Sequence, residues 1–422
     1  MKAESPFFSL RLPALRLPAP GSLLLALVAL AGCATSPTEY HDPAPLAAAA
    51  RRDHNLEVFD RAWSLVNRKY FDAKFRGVDW AAQRVKYRPA AAAAPDEEAL
   101  YRVLNAMNAE LKESHLAAIA PRRAHERETE VRAAVGIRWT FLDGKRVVDD
   151  VVPAGPAARA GVQTGWFVVS RNDAPIPADD HYIARVGQAV TYGFLDRQDQ
   201  PRSFTFVPQL LSFVRRDAQV LAGGILYVRF DEFDRASLGW LSENLKAHRT
   251  APAVIIDLRS NPGGNAVILN VAVAEFFDHR VDEGELIKRN GAEHEERSFS
   301  WFSAHYHGDV VILTSPNTGS AAEIFSHVLQ HHHRARLVGR PTAGAVIYAG
   351  TWPLPGGGSL QVPIIDYVGL DGRRIEGHPV QPDVVVPPPS LADLRAGRDP
   401  DLDAALKLLH STPLPGLSRA SR

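Results

Sequence analysis

Two segments combine residue types and spacing suited to acyl-transfer chemistry. Residues 314–323 read Thr-Ser-Pro-Asn-Thr-Gly-Ser-Ala-Ala-Glu: a strand running into a tight turn, with Ser320 where a helix begins. A serine there points its hydroxyl into open space. The unpaired N–H groups and partial positive charge of a helix N-terminus suit a developing oxyanion. The same Ser-x-x-Glu spacing is also a helix capping box, which assigns Glu323 to capping and to no chemistry. Residues 255–265, Ile-Ile-Asp-Leu-Arg-Ser-Asn-Pro-Gly-Gly-Asn, read as a buried strand ending in a loop. Its two glycines admit backbone angles closed to other residues, and exposed N–H groups there would complete an oxyanion hole. The run His331-His332-His333 invites a metal reading. Consecutive helical residues point about 100° apart and cannot converge on one ion, so these are expected to be surface or helix-end histidines.

These segments need elements to hold them. Residues 224–390 alternate strand patterns (225–230, 253–256, 310–313, 335–338) with helical ones (236–248, 266–277, 321–332), an order that predicts an α/β core. Upstream, Val58, Ala62, Trp63, Val66 and Tyr70 have the spacing of one helical face, as do Leu100, Val103, Leu104, Met107 and Leu111. An Ala/Pro-rich linker is expected between them at 89–95. Residues 128–212 change to short β-like runs (135–141, 146–152, 166–171, 203–208) separated by turns. Pro387-Pro388-Pro389 closes the core, and 402–409 reads as a last helix. Trp63, Trp80, Trp139 and Trp240 are expected in cores or interfaces.

Composition narrows the class. In 422 residues, 45% are hydrophobic and 23% charged, ordinary values for a globular chain. Forty-eight basic residues balance 48 acidic ones, against the basic excess of nucleic-acid binders. One cysteine excludes a disulfide framework and a cysteine zinc cluster. No cofactor or metal is expected.

Taken together and in this order, the Asp-Leu-Arg-x-Asn-x-Gly-Gly and Gly-Ser-Ala-x-x-Glu segments resemble peptidase family S41, the C-terminal processing proteases. Residues 337–344 (Leu-Val-Gly-Arg-Pro-Thr-Ala-Gly) and 375–383 (Ile-Glu-Gly-His-Pro-Val-Gln-Pro-Asp) also match, and the resemblance spans roughly residues 52–410. One branch of the family activates its serine with a lysine; Ala345 stands at that position, and Lys407 is the only lysine after Ser320. The tricorn-like branch uses a Ser-His pair upstream and a late glutamate, matched here by Ser114-His115 and Glu376. The resemblance therefore implies Ser320 as nucleophile, His115 as general base, Glu376 and Ser114 as supporting groups, and the N–H groups of Gly264 and Ala321 as the oxyanion hole. An unperturbed imidazole base gives activity that rises through about pH 6–7.

Residues 151–162 (Val-Val-Pro-Ala-Gly-Pro-Ala-Ala-Arg-Ala-Gly-Val) resemble the strand, short helix and Ala-Gly turn of PDZ domains, with Gly165-Trp166 replacing the usual Gly-Asp. Val135-Gly136-Ile137 would then receive a peptide C-terminus on backbone N–H groups. The implied fold is a multidomain α+β and α/β protein: an N-terminal helical domain (52–125), an inserted PDZ-like β domain (126–215), a crotonase/ClpP-like catalytic core (216–390), and a C-terminal helix and tail (391–422).

The amino terminus has its own logic. An apolar block at 23–31, too short for a transmembrane helix, ends in Leu30-Ala31-Gly32-Cys33. This is the pattern of a bacterial lipobox, so residues 1–32 are expected to be a signal peptide, Cys33 to carry lipid, and 33–51 to be a flexible tether. Ala34 after the cysteine points, by resemblance, to the outer membrane facing the periplasm. The expected activity is a lipid-anchored serine endopeptidase of the cell envelope, acting on protein or peptide substrates. Its competitors are an inactive PDZ-bearing scaffold, a binder of small apolar ligands, and a crotonase-type acyl-CoA enzyme, the last opposed by the export signal.

Overall fold

The computed structural model describes residues 39–178, 180, 182–299 and 305–411. Cys33 and the expected signal peptide lie outside the described residues. The described residues belong to one compact unit. No described helix is long and apolar enough to cross a membrane.

The central layer is a six-stranded sheet in the order Arg216–Val220, Leu226–Phe230, Ala253–Asp257, Asp309–Thr314, Arg336–Gly339, Val384–Val385. Only the first pair is antiparallel; the remainder are parallel, with Ile255 opposite Val311 and Ile312 opposite Leu337. Parallel strands covered on both faces read as unbroken apolar runs, and Ala253–Asp257 is buried at every position. Helices Arg235–Ala247, Ala266–Ala274 and Ala321–His331 cover one face, where Leu241, Leu269, Val273, Phe325 and Val328 form the main core. Helix Pro400–Ser411 covers the other face, inserting Ala405 among Ile255, Val311 and Val338.

A second, antiparallel sheet was not legible in the sequence. It joins Ala117–Ile119, Ser359–Val368, Asp282–Lys288 and Glu293–Arg297, with Tyr348–Pro353 also on Ser359–Val368. Leu286 and Tyr367 enter the main core. Leu360 and Val362 pack with the N-terminal helices Ala48–Lys69, Trp80–Ala92 and Glu97–Asn108. The expected linker at 89–95 is shorter than the sequence suggests, because the second of these helices continues through Pro89 to Ala92. A proline displaces the carbonyl four residues back. That residue, Val85, is strongly exposed, where water can take up the freed carbonyl.

The third sheet orders Ile137–Leu142, Lys145–Val151, Phe167–Arg171, Val190–Leu195 and Pro201–Phe206, all antiparallel. It has its own core of Val148, Trp166, Tyr192, Phe194 and Phe206. A two-stranded ribbon, Val131–Ala134 with Gln209–Ser212, closes the entry and exit of this segment.

Candidate active site

Ser320 follows a central strand and begins a buried helix, and its backbone is held at φ 52°, ψ −121°. A non-glycine residue there is strained and persists only where its surroundings over-determine it. The surroundings are two loops stitched side to side. Ser315 Oγ donates to the Arg259 carbonyl (2.7 Å), Thr318 Oγ1 to the Leu258 carbonyl (2.9 Å), and the Gly319 N–H to the Asn261 carbonyl (3.0 Å). The glycines permit this approach. A Cβ on Gly263, at φ 110°, would lie 2.6 Å from Ser320 Cβ and 2.9 Å from the Ala321 nitrogen. A Cβ on Gly264, at φ 145°, would collide with the Phe233 carbonyl. The Gly263 N–H donates to Asn261 Oδ1 (2.9 Å). The N–H groups of Gly264 and Ala321 meet no acceptor among the described residues.

Glu323 does more than cap. Its fully buried carboxylate accepts from the N–H groups of Ser320 (3.0 Å), Ala345 (2.9 Å) and Gly344 (2.7 Å) and from Thr342 Oγ1 (2.5 Å). Burial pushes this carboxyl above its ordinary pKa, and those four hydrogen bonds oppose the shift. Glu323 thus ties the 342–345 loop to the Ser320 turn. Ala345, at the position of the alternative lysine, is part of this framework: its carbonyl accepts the Ser320 N–H (3.0 Å).

A second group assembles from opposite ends of the chain. The Glu376 carboxylate accepts the Ser114 N–H (2.7 Å) and the Ser114 hydroxyl (2.8 Å), while Ser114 Oγ lies 2.7 Å from His115 Nδ1. A serine hydroxyl has one proton. Ser114 uses that proton to donate a hydrogen bond to Glu376, so toward His115 it must accept from Nδ1–H, which leaves Nε2 with a free lone pair. Burial holds the imidazole below its ordinary pKa; the Glu376 charge pulls it partly back up and the Arg127 charge pushes it down. His115 is therefore neutral near pH 7.

The two groups share scaffolding. The Gly377 N–H donates to the Gly344 carbonyl (2.8 Å), next to the residue that receives the Ser320 N–H. No hydrogen bond joins His115 to Ser320 among the described residues, and such contacts are often open in the absence of substrate. Glu113, which the sequence reading passed over, has a fully buried side chain that accepts from Tyr70 Oη (2.8 Å) and pairs with Arg76 (3.2 Å) and Arg374 (3.1 Å). Arg374 also holds Asp366 (2.8 Å), binding the Ser114-His115 loop to the segment bearing Glu376. Nothing local marks Glu113, because its partners lie far away in sequence.

Val135, Gly136 and Ile137 are buried. The Val135 carbonyl accepts from the Ala157 N–H (2.9 Å), the Gly136 carbonyl accepts from the Val152 N–H (2.9 Å), and Ile137 pairs with Val151. Val135 and Ile137 face a groove of about 1930 Å³ that also reaches Trp139, Arg259, Pro262 and Asn317. Of the histidine run, His332 Nε2 lies 2.8 Å from the Asp282 carbonyl, and His331 packs against His327.

Residues 224–386 match peptidase family S41, and residues 51–109 match the tricorn protease C1 domain. The carboxyl-terminal-processing protease of Synechocystis sp. is 26% identical over 372 residues, 83% of this chain and 85% of that one. Among solved structures, the photosystem II D1 C-terminal processing protease superposes with TM-score 0.55 at 21% identity, covering 86% of this chain and 98% of its own. Tricorn protease superposes with TM-score 0.52 at 18% identity, over 85% of this chain and 37% of its own.

Proposed function

The chain is a serine-type peptidase of family S41, and from that premise we propose that it is an endopeptidase acting through Ser320 and His115. The observation that carries the reading is the chain from Glu376 through Ser114 to His115, which fixes the imidazole tautomer with Nε2 free. In the reaction, Nε2 takes the Ser320 hydroxyl proton as Oγ bonds to the scissile carbonyl carbon. The resulting oxyanion is received by the N–H groups of Gly264 and Ala321. Collapse breaks the C–N bond, and His115 hands the proton to the departing amine. Water, deprotonated by the same imidazole, then hydrolyses the Ser320 ester. Ser114 and Glu376 hold the ring and do not exchange protons with substrate.

The proposal extends to substrate and place. The 126–215 segment, with its own core and an edge strand at Ile137–Leu142 along the groove, suits a PDZ-like module that takes a substrate C-terminus by strand addition. The 52–125 helices and the 216–390 core complete the domain scheme, the latter on a crotonase/ClpP-like plan. A lipid at Cys33 would hold the enzyme in the cell envelope, at the outer membrane facing the periplasm, with periplasmic proteins as substrates. A scaffold or apolar-ligand binder has no use for an imidazole held in one tautomer.

A fluorophosphonate probe tests the core of the reading. Wild-type protein should be labelled at Ser320 and should cleave an unstructured polypeptide. Ser320→Ala should lose the label and nearly all turnover while unfolding at a similar temperature, since a missing cap hydroxyl costs only about 1 kcal/mol. Near wild-type hydrolysis by Ser320→Ala would sink the assignment.

A further inference from the structure

Helices Leu391–Ala396 and Pro400–Ser411 lie beyond the residues that match the family, and none of the residues proposed to meet substrate is on them. The first turn of the second helix nevertheless carries Asp401, which is fully buried. Its Oδ2 accepts from Arg259 Nη1 (2.9 Å) and Arg340 Nη2 (2.8 Å), and its Oδ1 accepts from Arg340 Nη1 (2.7 Å). Asp399 accepts from both terminal nitrogens of Arg259, each at 2.7 Å. The other edge of Arg259 holds Asp257 through Nε (2.9 Å) and Nη2 (2.6 Å), and Asp257 also receives the Tyr227 hydroxyl (2.7 Å).

Docking one helix does not require this arrangement. Apolar contacts such as Ala405 serve that purpose, and ions taken out of water pay a desolvation penalty. The two arginines show what else it does. Arg259 begins the loop that runs to Gly263 and Gly264, and its carbonyl accepts the Ser315 hydroxyl on the Ser320 turn. Arg340 is bonded through its backbone to Thr314 and opens the segment that runs to Gly344 and Ala345, where Glu323 and the Ser320 N–H attach. Asp401 is therefore a rivet between the two loops that flank the nucleophile.

We infer that Asp401, seconded by Asp399, is a positioning residue: through Arg259 and Arg340 the C-terminal helix holds the glycine loop and the 340–345 loop at the separation the oxyanion geometry needs. The inference rests on the reading of Ser320 given above, and it makes the C-terminal segment a working part of the peptidase.

The test uses full-length Asp401→Asn and Asp399→Asn. Asparagine keeps the shape but cannot accept from two arginines with both side-chain atoms. Asp401→Asn should lower kcat about 10–100-fold, the scale of a misplacement near 1 Å, with KM within about twofold of wild type. Affinity for a peptide aldehyde, which forms the oxyanion, should fall in parallel, while affinity for the uncleaved peptide holds. Amide exchange at 258–264 and 340–345 should accelerate. Of the two arginines Asp399 holds only Arg259, and its Oδ1 also accepts the Leu402 N–H (3.1 Å), a cap that asparagine can keep; Asp399→Asn should therefore show a smaller loss of the same kind, and it carries the test if Asp401→Asn does not fold. Folded variants with wild-type kcat and aldehyde affinity would overturn the inference, as would a loss confined to thermal stability. Should wild-type protein prove unreactive toward fluorophosphonate, the reading of Ser320 fails separately. The exchange measurement then decides the rivet: faster exchange in both loops supports it, and unchanged exchange rejects it.

Discussion

The proton on His115 is placed by its neighbours, and that placement has a measurable pH signature. In the proposed mechanism the neutral form is the base, so activity should rise as the imidazole deprotonates. Burial lowers its pKa, with Glu376 acting in the opposite direction. The acid limb of kcat/KM should therefore have its midpoint below the unperturbed value of about 6.5, lower than the limb at pH 6–7 inferred from an isolated imidazole. Glu376→Gln removes the charge that raises the pKa, so its limb should move further down while kcat falls. His115→Ala should lose more, about 10²–10⁴-fold, because the base itself is gone. A Glu376→Gln limb that stays in place or moves up would contradict the relay.

At the scale of elements, the helix Ala321–His331 must keep Ser320 aimed while the segment carrying Glu376 stays in register. Its buried side, with Phe325, Val328 and Leu329, supplies the packing. A polar tether supplies the register: His327 Nε2 accepts the Leu370 N–H (3.0 Å). Burial lowers the His327 pKa; Asp371 raises it, and His331, Arg373 and His332 lower it further. Protonation would set an N–H against the Leu370 N–H. Because the folded pKa lies below the unfolded one, the unfolded chain binds the proton more readily. The tether's contribution is complete above about pH 6.5 and is lost as pH falls through the folded value. His327→Gln, which can accept without titrating, should flatten this part of the stability profile below about pH 6.5 in urea unfolding. Identical slopes for the two proteins would dismiss the tether.

For the molecule as a whole, the inserted β segment is joined to the core by charge as well as by its ribbon. Asp150 pairs with Arg138 of the insert, with Arg215 on the return connection (3.0 Å) and with Arg229 of the central sheet (3.7 Å). Burial alone would raise its pKa, but the three guanidinium charges hold it below the ordinary carboxylate value. Asp150→Ala removes the one carboxylate that the three cations share, leaving Arg229 with Asp231 (2.9 Å), Arg215 with Asp217 (2.7 Å) and the contact between insert and core without its bridging charge. Discounted for partial solvent access, the cost should be about 2–3 kcal/mol by urea unfolding, with new proteolytic cleavage at 207–216. A variant as stable and as protease-resistant as wild type would reject this junction. The lipid proposed at Cys33 would likewise act on the molecule as a whole. Metabolic palmitate labelling should mark wild type and not Cys33→Ser, and equal labelling of both would reject lipidation.

Local chemistry and periodicity were enough to delimit the central strands and helices, often within a residue or two, because apolar runs and caps are local signals. Ser320 and the Gly263-Gly264 loop stood out for the same reason: a turn into a helix and a glycine pair carry their meaning in a few adjacent residues. His115 and Glu376 were visible only as a resemblance, since neither residue type nor spacing links positions so far apart in the chain. The second sheet escaped because its strands mix exposed and buried faces, and its two local hairpins become one sheet only through distant pairings of Ser359–Val368 with Ala117–Ile119 and Asp282–Lys288. Only the tertiary structure decided that the Ser114 hydroxyl donates its hydrogen bond to Glu376, that Glu113 and Glu323 are buried tethers, and that Asp401 reaches two arginines from beyond the residues that match the family. Each is a hydrogen bond or ion pair whose geometry is set by packing of separate elements, and no local pattern in the chain encodes such a distance.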